Sequence, residues 1–242
     1  MRNRNYTTAL PALLCLMLSG CYIDIDGLDP VVDGSGDIVA EERMLESFDR
    51  IVTEGSLELV ISQDTEQLVE VEADDNLLQY IRTSVRGGTL WVSNTRTFSS
   101  NRYVKVFITL TELEALEIRG SSNVFGSSVI SGDNLDLEID GAGNVDMELF
   151  YDRIYSEIDG SGNFRLSGEV LEQEVRIKGS GDYRAADLLS IEADVQINGS
   201  GNSIVRVSDF LRAEIRGSGD IIYYGDPDVE SFINGSGNLQ QR

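Results

Sequence analysis

The chain contains no histidine, and its two cysteines, Cys15 and Cys21, both stand near the N-terminus. The first absence excludes Ser-His-Asp and Cys-His nucleophile systems. Proline is scarce, with 3 residues, and lysine scarcer, with only Lys105 and Lys178. Positive charge is in deficit overall: 19 Lys and Arg stand against 42 Asp and Glu, a net charge of −23. Binding phosphate needs a basic surface, so this balance argues against nucleic acid as a partner. No apolar run reaches the roughly 20 residues of a membrane-spanning helix. What is present suffices for a packed core: 242 residues, 41% of them hydrophobic.

The first twenty residues read as a targeting segment, residues 1–20. Arg2 and Arg4 give a positive start, Ala9 to Leu18 an apolar stretch, and Leu18-Ser19-Gly20-Cys21 follows. That order matches a bacterial lipoprotein signal, in which Cys21 is lipidated and becomes the new N-terminus. Cleavage would remove Cys15 as well, leaving no thiol for a disulfide or a zinc site. It would also remove Arg2 and Arg4, leaving 17 basic against 42 acidic residues, or −25. Tyr22 follows in place of an inner-membrane-retaining aspartate, so the expected location is the outer membrane. Residues 21–37 read as a lipidated tether, rich in Asp and Gly. Within it Val32-Asp-Gly-Ser-Gly-Asp37 resembles a repeated turn found further on. The stretch Gly34 to Asp37 therefore reads either as an extra coil or as linker.

Seven copies of a short turn, each led by isoleucine, occupy the second half. The leading residues are Ile118, Ile139, Ile158, Ile177, Ile197, Ile215 and Ile233, and the turns end at Asn123, Asn144, Asn163, Asp182, Asn202, Asp220 and Asn238. Most read Gly-Ser-Gly-Asn/Asp. The steps between isoleucines are 21, 19, 19, 20, 18 and 18 residues. A fixed turn at a near-fixed period marks a solenoid. The predicted fold is therefore all-β: a β-helix or solenoid-like stack of 18–21-residue coils over residues 116–242. The isoleucines form an inward ladder, the glycines bend the corners, and Asn or Asp bonds to backbone or to its neighbour in the stack. Asn and Asp also tolerate the left-handed region that such a corner could require. In register, Arg119 falls beside Asp140, and Asp159 beside Lys178, as candidate ion pairs. The rival reading is an antiparallel meander with each turn closing a hairpin.

Residues 38–115 are β-rich but lack the regular turn. Strands are expected at Leu57–Ile61, Leu68–Glu72, Ile81–Val85, Leu90–Val92 and Tyr103–Ile108, with a tight hairpin at Gly87-Gly88. A short helical turn is expected at Asp75–Gln79, with Asp74 as N-cap.

The signal, Gly36-Asp-Ile-Val39, the segment Arg43-Met-Leu-Glu-Ser-Phe48-Asp-Arg-Ile51 and the Gly-Ser-Gly-Asn turns together resemble the head GIN domain family. Its members are described as autotransporter adhesin heads and as a domain of unknown function. The resemblance runs from about Gly36 to Arg242. It implies an exported β-helix-like fold, with residues 38–242 as one continuous domain, and it carries over no catalytic residues.

No catalytic residue, metal site or cofactor is assigned. Ser161 and Ser180 have no adjacent base, and the strained Gly-x-Ser-x-Gly elbow is missing. Asp140 and Asp159 are the nearest approach to a polysaccharide-cleaving carboxylate pair, but they read as solvated surface groups. The nine-residue calcium repeat is missing. Two function classes follow. The first is a lipid-anchored envelope module, adhesin-like, that binds an unidentified protein or glycan. The second is a structural or self-assembling protein, possible as a homo-oligomer, whose last coil ends close to Arg242 and leaves little room for a cap.

Overall fold

The computed structural model describes residues 31–99 and 104–242. The targeting segment, Cys21 and Tyr103 lie outside the described residues. Seventeen strands join one continuous sheet, and among the described residues there is no α-helix. None has a helix long and apolar enough to cross a membrane.

The repeats coil. Strands β8 (Ala115–Gly120), β10 (Ile130–Gly141), β11 (Asn144–Gly160), β12 (Asn163–Gly179), β13 (Asp182–Gly199), β14 (Ser203–Gly217) and β16 (Asp228–Gly235) pair in parallel. Between corners run the shorter β9 (Asn123–Gly126), β15 (Ile221–Tyr224) and β17 (Leu239–Gln241). Parallel pairing between successive copies rules out the meander. The seven isoleucines fall in one register, from Ile118↔Ile139 through Ile215↔Ile233. Six are at most 1% exposed, whereas Ile233, on the outermost described layer, is 43% exposed. Leu116, Leu137, Val175, Val195 and Ala213 form a second buried column two residues upstream, as strand alternation requires.

The stack does not begin at the first motif. Strand β2 (Arg50–Gly55) pairs in parallel with β8, placing Thr53 opposite Ile118 and Gly55 opposite Gly120. Strand β3 (Glu58–Gln63) lies in parallel on β9. Beyond them β6 (Thr89–Asn94) and β7 (Lys105–Leu110) add another parallel layer. Thr53 takes the isoleucine's place, and its hydroxyl lies 3.0 Å from that of Ser122. Ser122 also accepts the Leu57 N–H at 3.1 Å. This accounts for the one motif with serine in place of the second glycine, Gly-Ser-Ser-Asn: a buried hydroxyl is tolerated where hydroxyl and amide partners meet it.

The other end is closed by antiparallel pairing. Strand β4 (Leu68–Asp74) pairs with β7, β5 (Ile81–Arg86) with β6, and β1 (Ile38–Glu42) with β4. Gly87 and Gly88 form the β5–β6 hairpin with φ of 57° and 79°, the pair of positive values that a two-residue turn of this hand needs. The expected helical turn is displaced: a single 3₁₀ turn covers Leu78–Tyr80, with Leu77 at its start and no side-chain cap. Asp74 is not an N-cap. Its carboxylate accepts the Gly36 N–H at 2.7 Å, while Asn76 accepts from Ser35 at 3.0 Å. Residues 33–37 are thus docked on the end of β4, and Gly34–Asp37 is not a coil of the stack.

Candidate functional site

The corners carry the repeated residues, and their geometry is structural. Gly160 has φ of 133°, and a β-carbon there would collide with the Gly141 carbonyl of the layer below. Gly162 has no such angle, but a β-carbon would stand 2.6 Å from the Gly143 carbonyl oxygen. One glycine supplies the bend and the other permits close stacking. Asn and Asp do not supply a left-handed corner, because no described non-glycine residue has positive φ. They supply the ladder instead. Asn144 Nδ2 donates to Asn123 Oδ1 at 2.7 Å and Asn163 Nδ2 to Asn144 Oδ1 at 2.8 Å. The Asp182 N–H then donates to Asn163 Oδ1 at 3.2 Å, and Asn202 Nδ2 donates to Asp182 Oδ1 at 3.0 Å. The Asp220 N–H donates to Asn202 Oδ1 at 3.1 Å, and Asn238 Nδ2 donates to Asp220 Oδ1 at 3.1 Å.

The residue after each isoleucine falls in the expected register: Arg119↔Asp140, Asp140↔Asp159 and Asp159↔Lys178. The ion pairs form elsewhere. Arg119 bonds Glu117, reaches Glu54 at 3.5 Å and lies 5.2 Å from the Trp91 ring centre. Lys178 bonds Glu157, which also accepts from the Tyr155 hydroxyl. Burial raises the Glu157 pKa, but these two donors outweigh it and hold the carboxyl below its ordinary value. Glu157 is the better-prepared acceptor, since it is half-buried and already bonded while Asp159 is exposed. Burial, aided by Glu157, pushes the Tyr155 hydroxyl up to about 12. Asp140 and Asp159 are both exposed on the outer side of the corner.

A different surface has the shape of a site. At another bend of the coil, Phe150, Glu169, Leu189, Arg206 and Tyr224 follow one another in register. One residue further on, Tyr151, Val170, Ser190 and Val207 form a second register row, each at most 5% exposed. After these come Leu171 and Ile191, which point outward again. The result is a groove of about 770 Å³, with Val170, Ser190 and Val207 along its length and Gly132 and Gly225 at its ends. Phe150 and Leu189 are 41% and 47% exposed, Leu171 and Ile191 49% and 46%. Four large apolar side chains gathered on one surface of so acidic a chain form a patch that calls for a partner.

The floor is held rigidly. Tyr183, fully buried, donates to Gln173 Oε1 at 3.1 Å; Gln173 donates to Ser190 Oγ at 2.7 Å; Ser190 donates to the Arg206 carbonyl at 2.9 Å. Burial raises the Tyr183 pKa, so it acts as a neutral donor. Arg206 Nε donates to the Ala186 carbonyl at 2.7 Å, and its guanidinium lies 4.9 Å from the Tyr224 ring centre. Acidic groups also line the groove: Asp152, Glu169 and Asp226. Among the described residues no group of His, Cys, Asp or Glu is placed to hold a metal ion.

The groove residues belong to no repeated motif. The signal that marks them is a break in alternation. Phe150-Tyr151, Val170-Leu171 and Leu188-Leu189 are adjacent apolar pairs, so one member of each must face outward on a strand.

Fold and surface together define a β-solenoid domain with an axial apolar groove. The family model described as "Putative auto-transporter adhesin, head GIN domain" matches residues 47–227, and the chain belongs to that family. No protein of curated function matches the sequence. Among solved structures, the chain is similar to a putative adhesin from Bacteroides fragilis, with TM-score 0.82 and 23% identity, covering 87% of this chain and 100% of that one. It is also similar to a putative lipid binding protein and a putative adhesin from Parabacteroides distasonis. Both have TM-score 0.73 and cover 88% of this chain and 100% of theirs, at 26% and 25% identity respectively.

Proposed function

We propose that this protein is a lipid-anchored, adhesin-like binding module of the bacterial cell envelope, held in the outer membrane through Cys21, and that it binds rather than catalyses. The observation that carries the reading is the apolar groove on a rigid scaffold. Its lining offers surface and a few polar groups, the usual make-up of a binding site, with no nucleophile and base side by side. The family description and the names of its structural neighbours support an adhesin-like or lipid-binding role at the envelope. The lipoprotein-type signal sequence Leu18–Cys21 supports the anchor. The test is metabolic labelling with a tritiated fatty acid, followed by envelope fractionation of cells expressing the full chain. The expected result is label in the wild type, none in Cys21→Ala, and recovery of the labelled chain with the outer membrane. Unlabelled wild type in the soluble fraction would overturn the reading. So would hydrolysis of envelope polysaccharide that disappears in Asp140→Asn or Asp159→Asn.

A further inference from the structure

We infer that the groove holds one molecule of a long-chain fatty acid, its tail lying along the solenoid axis and its carboxylate at Arg206. The inference rests on the reading of the protein as an envelope binding module and names the ligand class of that site.

Three observations select this occupant. The first is hydrogen-bonding. Strands β11 to β14, which form most of the floor, are each paired on both sides by neighbouring layers. No open strand edge faces the groove there. An extended peptide seated in it would leave its own amides without backbone partners, a cost that hydrocarbon does not bear.

The second is size. From Gly132 to the layer of Arg206 the floor crosses five layers, four spacings of about 4.8 Å, or roughly 19 Å. One leaflet of a bilayer, acyl tail and head together, spans about half of 40–45 Å. The floor is one residue wide between its two flanking rows, which carry Phe150 and Leu189 on one side and Leu171 and Ile191 on the other, and this width fits a single tail better than a pair. The volume lies within the roughly 300–1,000 Å³ of small-molecule sites.

The third is charge. Arg206 is the one basic residue lining the groove, and no carboxylate is paired with it among the described residues. Asp152 stands three layers from Arg206 and Glu169 two layers from it, between Phe150 and Leu189, while Asp226 stands one layer beyond it on the other side. Their charges disfavour an acid head everywhere except beside the guanidinium. The lipid is therefore oriented, head at Arg206 and tail over Leu189, Leu171 and Phe150. An arginine fork suits a carboxylate in this position.

The test is fluorescence titration of the full chain carrying Cys21→Ala with cis-parinaric acid. That substitution removes the proposed attachment site, so no acyl chain of its own competes. Saturable binding of one acid per chain is expected. Leu189→Asp, which sets a charge against the tail, should weaken binding by at least about tenfold. Arg206→Gln should weaken the acid while leaving competition by hexadecanol unchanged. Phe232→Asp, an exposed apolar position outside the groove lining, should bind as wild type does, with circular dichroism confirming that each variant is folded. Absence of saturable binding, or equal affinity in wild type and Leu189→Asp, would overturn the inference. So would an equal loss in Phe232→Asp. Such a failure leaves Cys21-dependent envelope attachment untouched, whereas failure of that attachment leaves this titration unaffected.

Discussion

Each residue of the repeated turn answers a separate physical demand. Gly160→Ala would force a β-carbon onto the Gly141 carbonyl at a backbone angle that alanine avoids. A loss of about 1–3 kcal/mol is expected in urea unfolding. Ser122 shows the converse: a side chain is admitted at the inner corner where Thr53 and the Leu57 N–H receive it. Glu138 faces Glu117 and Glu157 in the neighbouring layers. Desolvation first, and then those two carboxylates, raise its pKa. The sign follows: the folded state holds this proton to higher pH than the unfolded chain does, so stability falls as pH rises through the window between the two values. Glu138→Gln should therefore melt higher than wild type at neutral pH and equally below the carboxylate range, and thermal melts at both pH values will show it. A higher melting point confined to acid would refute this assignment. The glycine and isoleucine roles are readable in sequence because they repeat. The pairing of Lys178 with Glu157 is not, because it depends on which of two nearby carboxylates is already half-buried and bonded.

At the scale of the element, a coil gains most of its stability from the layers on either side. Ile158 is covered above and below by Ile139 and Ile177, and Ile158→Ala should cost about 2–5 kcal/mol. Ile233 follows the same motif, but on the outermost described layer it is 43% exposed. Ile233→Ala should cost less than half as much in the same denaturant titration. Equal losses would mean that something else covers the last rung. The second function class, self-assembly through that coil, draws on the same exposure, together with Phe232 at 58% and Val229 at 40%. A monomer by light scattering at high concentration would remove it. Coil period and parallel register were legible in the sequence. The β2–β3 layer was not, since Thr53 and Gly55 stand in for isoleucine and the corner glycine without the rest of the motif.

For the whole molecule, one end of the stack is closed by antiparallel strands, and the repeats run on from there as a ruled surface. The corners repeat because every layer must bend and stack alike. The opposite bend is free to vary, and there register breaks occur between Arg165 and Ser167 and between Ala185 and Leu189. That freedom is why the groove was hidden: its residues share a place in space but no motif, and only adjacent apolar pairs betray them. Asn163 and Leu189 separate the two roles. Asn163→Ala removes corner bonds to Asn144 and Asp182 and should cost about 1–2 kcal/mol of stability, leaving the groove intact. The most direct measurement is the affinity of both variants for cis-parinaric acid under conditions where both are folded. Wild-type affinity is expected for Asn163→Ala and at least a tenfold loss for Leu189→Asp, about 1.4 kcal/mol or more. Weakened binding in Asn163→Ala with Leu189→Asp unaffected would contradict this expectation, and would place the function on the corners.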